Sequence, residues 1–285
     1  MADNYLERRM EDMRNGRLQN YKTSNRPGSA PMKKGYLHIP FPPRRVLVTG
    51  GAHGIGLAIA RAFLKADCKV AVFDRDMEAG EKLANEEGVR FYQVDVSDSE
   101  ALQSAFDNLI KAWLDIDIII SNAGVGDFKP ITECSIEDFK RVLDINLTPA
   151  FILAKLWATH RSSLPLPNPF GGRMVIVSST RHLQSEISTE AYTASKGGLS
   201  SLTHALMMSL SEYGITVNSI SPGWINVAEE PLRAEDLLHH PSRRVGEPED
   251  IARVALFLAA PDNNFINGAD IVVDGGATRR MIYPE

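Results

Sequence analysis

The chain has 285 residues, 44% of them hydrophobic, and a formal net charge of −5. That length and apolar content suit one large packed domain, and the negative balance argues against nucleic acid or an anionic membrane as partner. Two cysteines, Cys68 and Cys134, exclude a disulfide framework or a cysteine metal site and read as plain buried thiols of a reducing compartment.

Residues 1–44 read as an N-terminal extension. Leu6, Met10 and Met13 share one face of a predicted helix over 1–22, and prolines and glycines from Pro27 to Pro43 break regular structure over 23–44. No basic segment followed by an apolar stretch stands after Met1, so a cytoplasmic protein without a secretory signal is expected. Apolar runs such as Ile116–Ile120 are far too short to span a bilayer.

From Val46 onward, residues 45–285 read as one catalytic domain of alternating periods. Strands are predicted at 46–49, 69–74, 90–94, 116–121, 174–178, 215–220 and 270–273. Helices are predicted between them at 54–66, 77–87, 99–113, one long helix at 135–160, then 191–212 and 248–259. Strands separated by helices predict an α/β fold, a Rossmann-type doubly wound parallel sheet of about seven strands with helices on both faces.

The first strand breaks into Thr49-Gly50-Gly51-Ala52-His53-Gly54-Ile55-Gly56 before a helical period resumes. A glycine-rich turn between strand and helix lets the backbone approach a pyrophosphate, and the free N–H groups of the new helix hold the anion. Thr49 reads either as the strand's end or, with Gly50, as part of the phosphate turn, and His53 as a solvated or loop-bracing residue. Asp74, eighteen residues past Gly56, is placed to accept hydrogen bonds from an adenosine ribose. A 2′-phosphate there would be repelled by Asp74, although Arg75 offers a partner for it; otherwise Arg75 stacks on the adenine or faces water.

Tyr192 and Lys196 stand four apart in a predicted helix, hence on one face and one turn apart. An ammonium beside a phenol stabilises the phenolate and draws the phenol toward the range of a working general base. Ser179, thirteen residues upstream at the end of a strand, reaches the same point from the other side, with Ser178 as helper or structural neighbour. Asn146 lies on the apolar side of its helix, either as a structural amide or in a functional role.

Together these motifs resemble the short-chain dehydrogenase/reductase family from about Arg45 to Tyr283. The resemblance rests on the glycine-rich turn, Asp95-Val96, Asn122-Ala123-Gly124, Asn146, the Ser179/Tyr192/Lys196 set and Pro222-Gly223, all in the family's order. It implies reversible hydride transfer between a secondary alcohol and a ketone, with Tyr192 moving the hydroxyl proton. Ser179 would hydrogen-bond the substrate oxygen, and Asn146 would hold a water on a proton path from Lys196. It implies a cofactor held by Gly50, His53, Gly54, Ile55 and Gly56 at the pyrophosphate. Asp74, Arg75, Asp95 and Val96 would flank the adenosine, and Asn122, Ala123 and Gly124 the middle of the cleft. Tyr192, Lys196, Pro222, Gly223 and Ile225 would lie at the nicotinamide end. An acid at position 74, and His53 where NADP-preferring relatives carry a basic residue, favour NAD, with NADP as the alternative. No metal is implied.

Two departures stand out. Ser121 replaces another Asn before Asn122, and Val227 replaces a Thr that helps hold the nicotinamide amide, leaving that contact to Asn226 or to backbone near Ile225. The resemblance also implies a homotetramer or homodimer, paired through the helices carrying Phe151, Ile152 and Leu156 and Leu199, Leu202, Leu206 and Leu210. The loop Trp224 to His240 and the residues after Ser179 form a polar rim with one large aromatic. That predicts a small, polar substrate such as a polyol, sugar or hydroxy acid, unless the charges are merely solvated. The rival readings are an NADPH-dependent ketoreductase and a non-catalytic dinucleotide-binding protein; the presence of Tyr192 and Lys196 speaks against the second.

Overall fold

The computed structural model describes residues 41–164, 168–228 and 231–281. The predicted helix over 1–22 and nearly all of the 1–44 extension lie outside the described residues, as do Glu229 and Glu230.

Seven strands form one parallel sheet in the order β3-β2-β1-β4-β5-β6-β7. They are β1 Arg45–Thr49, β2 Lys69–Asp74, β3 Arg90–Gln93, β4 Ile118–Ser121, β5 Gly172–Val177, β6 Ile215–Pro222 and β7 Asp270–Val273. The helices are α1 Gly54–Lys65, α2 Met77–Glu87, α3 Ser99–Trp113, α4 Ile136–Asn146, α5 Thr148–Ser162, α6 Glu190–Leu210, α7 Ala234–His239 and α8 Pro248–Ala259. Successive residues of β1 serve opposite faces, as a strand's period of two requires. Leu47 packs with Phe73, Phe106 and Trp157 on one face, while Val46 and Val48 pack with Phe63, Ile118 and Leu258 on the other. Burial on both sides is why the central strands β1, β2 and β4 read as apolar runs.

Strand order reverses between β1 and β4, and this switch point opens the crevice in which an open α/β sheet binds ligands. The opposite end of the sheet is closed by charge. Arg45 grips Asp117 with two parallel bonds (Nε–Oδ2 2.9 Å, Nη2–Oδ1 2.8 Å), and Arg161 donates to Asp115 at 2.9 Å. The strand predicted from 116 is regular only from Ile118, although the Asp117 N–H already donates to the Arg45 carbonyl at 2.9 Å and its carbonyl accepts from Arg173 N–H at 3.0 Å.

The single helix predicted over 135–160 is two helices, α4 and α5, broken at Leu147. Pro149 is the cause: it has no N–H to give Ile145, and its ring crowds that carbonyl. By length and composition alone the stretch Ile136–Ser162 is long and apolar enough to cross a membrane. Here it is interrupted, and Leu153, Ala154 and Trp157 are buried in the core. The apolar faces expected to pair subunits are also partly spent inside the fold: Leu199, Leu206 and Leu210 belong to the core. Phe151 (51% exposed) and Met208 (69%) remain outside. Cys68 is buried as expected, but Cys134 is only half-buried.

Candidate active site

The carboxyl ends of β1 and β4 are stitched together by side chains. Thr49 is fully buried and its hydroxyl accepts from Asn122 N–H (3.0 Å) and Ala123 N–H (3.1 Å). Thr49 therefore braces the switch point from which the glycine turn leaves. Asn122 returns the contact, its amide donating to the Thr49 and Gly50 carbonyls at 3.0 Å each. With those bonds the turn folds back hard on the start of α1: a Cβ on Gly56 would lie 2.0 Å from the Gly50 oxygen. Gly54 has φ +51°, a conformation side-chain-bearing residues rarely adopt.

Helix α1 opens into the crevice with no side chain capping it and no acid in its first turn. Its leading N–H groups and dipole thus favour an anion. Asp74, at the end of β2, is held by two backbone donors, Ala52 N–H (3.0 Å) and Asp76 N–H (3.1 Å). His53 braces the loop as expected, with Nε2 2.8 Å from an Asp76 oxygen. Asp95 closes its own turn on Ser97, whose hydroxyl (2.7 Å) and N–H (3.0 Å) hold that carboxyl below the usual carboxylate range.

A cleft of about 560 Å³ runs from this turn to the end of β5. It is lined by every residue assigned to the site from the sequence except Asn146, including Arg75, Val96, Gly124, Pro222, Gly223 and Ile225. Ser179 follows β5 and leads a 3-10 turn, Thr180–His182, while Tyr192 and Lys196 lie in the first two turns of α6. Ser178 is a structural neighbour, its hydroxyl donating to the Lys196 carbonyl at 3.0 Å.

The electrostatics differ from the simple expectation for a Tyr–Lys pair. Burial pushes the Tyr192 phenol up from its ordinary value, while its hydrogen bond with Ser179 and the charge of Arg181 pull the other way. The Lys196 ammonium donates to the Val177 carbonyl at 2.9 Å and is lowered to about 8 by burial. The lysine is thus the group brought close to neutral pH; the phenol is not lowered in the free protein.

Asn146 sits at the break between α4 and α5. Its side-chain oxygen accepts from Val125 N–H (2.8 Å), and its amide donates to the Val125 carbonyl and the Ser195 hydroxyl, both at 3.0 Å. This is the structural-amide arrangement. The side chain also lies near Lys196, since a Cβ on Gly124 would be 3.3 Å from the Asn146 oxygen and 3.5 Å from Lys196 Nζ.

Residues 50–278 match the family model described as Enoyl-(Acyl carrier protein) reductase. The chain belongs to the short-chain dehydrogenase/reductase family. An uncharacterized oxidoreductase of Thermotoga maritima is 40% identical over 254 residues, covering 84% of this chain and 97% of the relative. An NADP-dependent (R)-specific alcohol dehydrogenase of Lentilactobacillus kefiri is 32% identical over 244 residues, covering 81% and 95%. Among solved structures, an apo SCOR enzyme from Clostridium thermocellum superposes with a TM-score of 0.76 at 36% identity, covering 84% of this chain and 95% of that one. Members of this short-chain dehydrogenase/reductase family are NAD(P)-dependent oxidoreductases, and the uncapped α1 N-terminus, the glycine turn and the Asp74 carboxylate fit such a dinucleotide.

Sequence reasoning missed part of the wall and its surroundings. Val125, Gly126 and Ile145 line the cleft; Phe128 stands just outside that lining, its ring in an edge-to-face pair with Tyr192 at 5.8 Å between centres. Nothing in the local pattern marks Phe128; its place follows from tertiary ion pairs. Val227, noted as a departure, does line the cleft, its Cγ1 3.4 Å from where a Cβ on Gly54 would lie.

Proposed function

We propose that this oxidoreductase interconverts a secondary alcohol and a ketone, with NAD favoured over NADP. One observation carries the reading: Tyr192, Lys196 and Ser179 line the same cleft as the uncapped start of α1 and Asp74. When bound, the nicotinamide dinucleotide supplies the site that takes or gives the hydride. Tyr192 removes the proton from the alcohol oxygen or returns it to the ketone oxygen, Ser179 holds that oxygen in line, and Lys196 places a positive charge beneath the forming phenolate. Asn146 keeps Val125 and Ser195 in place around them.

The NAD preference rests on Asp74, whose charge would repel a 2′-phosphate on the adenosine ribose. The Lentilactobacillus kefiri relative is NADP-dependent by name, and Arg75 in the cleft wall keeps an NADPH-dependent ketoreductase as the second reading. The polar sequence from Trp224 to His240, which includes helix α7, supports a small substrate bearing polar groups. Exposed Phe151 and Met208 support self-association as a dimer or tetramer; a monomer mass by light scattering at micromolar concentration rejects it.

Turnover across polyols, sugar acids and ketones, with NAD and NADP in parallel, tests the reading. Oxidation or reduction of at least one class is expected, faster with NAD. Tight NADH binding without turnover of any class would make the protein a dinucleotide-binding module instead.

A further inference from the structure

Phe128 is a large aromatic side chain, 59% exposed, that stands at the rim of the cleft, outside its lining, and touches Tyr192. Its ring meets that of Tyr192 edge to face, at an interplanar angle of 67°. The ring also lies over the main chain of Gly126, a residue of the cleft wall, since a Cβ there would be 2.7 Å from Phe128 Cζ.

The segment carrying it is held at three points. Val125 is gripped through both its N–H and its carbonyl by Asn146. Asp127 pairs with Arg141, and Lys129 pairs with Asp138 at 2.7 Å; both partners belong to α4. The two charged neighbours of Phe128 are therefore drawn onto α4, and the phenyl ring between them is left against Tyr192. Most of its surface stays in water in the free protein, although one large exposed aromatic forfeits apolar burial.

We propose that Phe128 is a specificity-determining wall of the site, and that the reacting carbon of the substrate carries an alkyl or aryl substituent packed against it. This rests on the alcohol–ketone reading and narrows its substrate class. A phenyl ring carries no polar group, so a hydroxyl packed on it would lose its water without a replacement partner. An apolar substituent loses nothing and covers the ring. The polar rim remains available to the rest of the molecule, so the substrate class is a secondary alcohol or ketone with one apolar arm beside the reacting carbon.

The test compares kcat/KM for an aryl methyl ketone, a straight-chain methyl ketone and a polyhydroxylated ketone of similar length, in the wild type, Phe128→Ala and Phe128→Leu. The wild type is expected to favour the two apolar ketones. Phe128→Ala should lose about 10- to 100-fold on them, the range available to an apolar pocket contact, and change little on the polyhydroxylated ketone. Phe128→Leu should recover the straight-chain ketone more than the aryl one. A wild type that prefers the polyhydroxylated ketone overturns the inference, as does a variant that slows all three equally or alters only the oligomeric mass. Absence of turnover for every probe, with NADH still bound, rejects the alcohol–ketone reading itself, and the two failures are thereby distinguished.

Discussion

Lys196 Nζ donates to the Val177 carbonyl oxygen at 2.9 Å, at the carboxyl end of β5. The same ammonium lies 5.6 Å from the centre of the Tyr192 ring. The strand thus anchors the lysine by a charge-assisted bond, while helix α6 sets its distance from the phenol. Because the ammonium is buried, its charge is worth more to a nearby phenolate than it would be in water, and it is also easier to lose.

That loss has a direction in pH. Lys196 is depressed to about 8 by burial, so its positive charge is present below that pH and disappears above it. Tyr192 is pushed upward by burial and stays protonated through the same window. For ketone reduction, kcat/KM should therefore be level below about pH 8 and fall above it, since this ratio reports groups of the free enzyme. In Lys196→Arg the guanidinium keeps its charge throughout, and any residual rate should show no such limb. A limb at the same pH in that variant would assign it to another group.

Tyr192→Phe keeps the ring, its packing on Phe128 and its place on α6, and removes only the transferable proton. Turnover is expected to fall by about 10²–10⁴-fold, with NADH affinity, read by fluorescence titration, nearly unchanged. Near-normal kcat would take Tyr192 out of the chemistry.

How much of this was legible beforehand depends on the range of the forces involved. Strands 69–74 and 270–273 and helix 248–259 appear at their expected bounds because local signals set them, including Pro248 at the first turn of α8. The break at Leu147 was lost because apolar spacing continues through Pro149. The cleft was legible because its glycines and the Tyr192/Lys196 pair have meaning at short spacing. Phe128 was not, since its position comes from Asp127–Arg141 and Lys129–Asp138, pairs between a loop and a helix. The raised phenol was not legible either, because burial is a property of the finished fold.

Asp74 is expected to set cofactor choice. Asp74→Ser should shift the ratio of NAD to NADP efficiency toward NADP by about tenfold or more, equivalent to about 1.4 kcal/mol, with Arg75 then free to pair with the 2′-phosphate. The carboxylate also holds the Ala52 and Asp76 N–H groups, so the variant should weaken both cofactors somewhat; the ratio is the informative quantity. A wild type that binds NADP more tightly would show that Arg75 dominates.

At the far end of the sheet, Asp117 should govern part of the acid stability. Burial pushes its carboxyl upward, but the two bonds from Arg45 outweigh this and hold it below the usual range. A carboxyl depressed in the folded state stabilises fully above its unfolded value near 4, and that contribution is lost as pH falls through the folded value. Asp117→Ala should cost about 2–3 kcal/mol near pH 7, less than a fully buried pair because the Arg45 side chain is 27% exposed. In urea titrations the gap between variant and wild type should narrow between about pH 5 and pH 2. A gap that stays constant would mean packing, not charge, is responsible.

The last expectation concerns how Ser179 is held. Asp270, at the start of β7, accepts from the Ser219 (2.6 Å) and Ser221 (2.8 Å) hydroxyls with one oxygen, while its other lies 2.9 Å from His182 Nε2. His182 ends the 3-10 turn that Ser179 begins, so this carboxylate ties the turn to the edge of the sheet. Asp270→Ala would leave two fully buried serine hydroxyls without that acceptor and release the histidine, costing about 1–3 kcal/mol. If the tie positions Ser179, kcat should fall with little change in NADH affinity, and Asp270→Asn, which keeps an acceptor oxygen, should recover much of it. Loss of stability with unchanged kcat would reduce the carboxylate to a strand anchor.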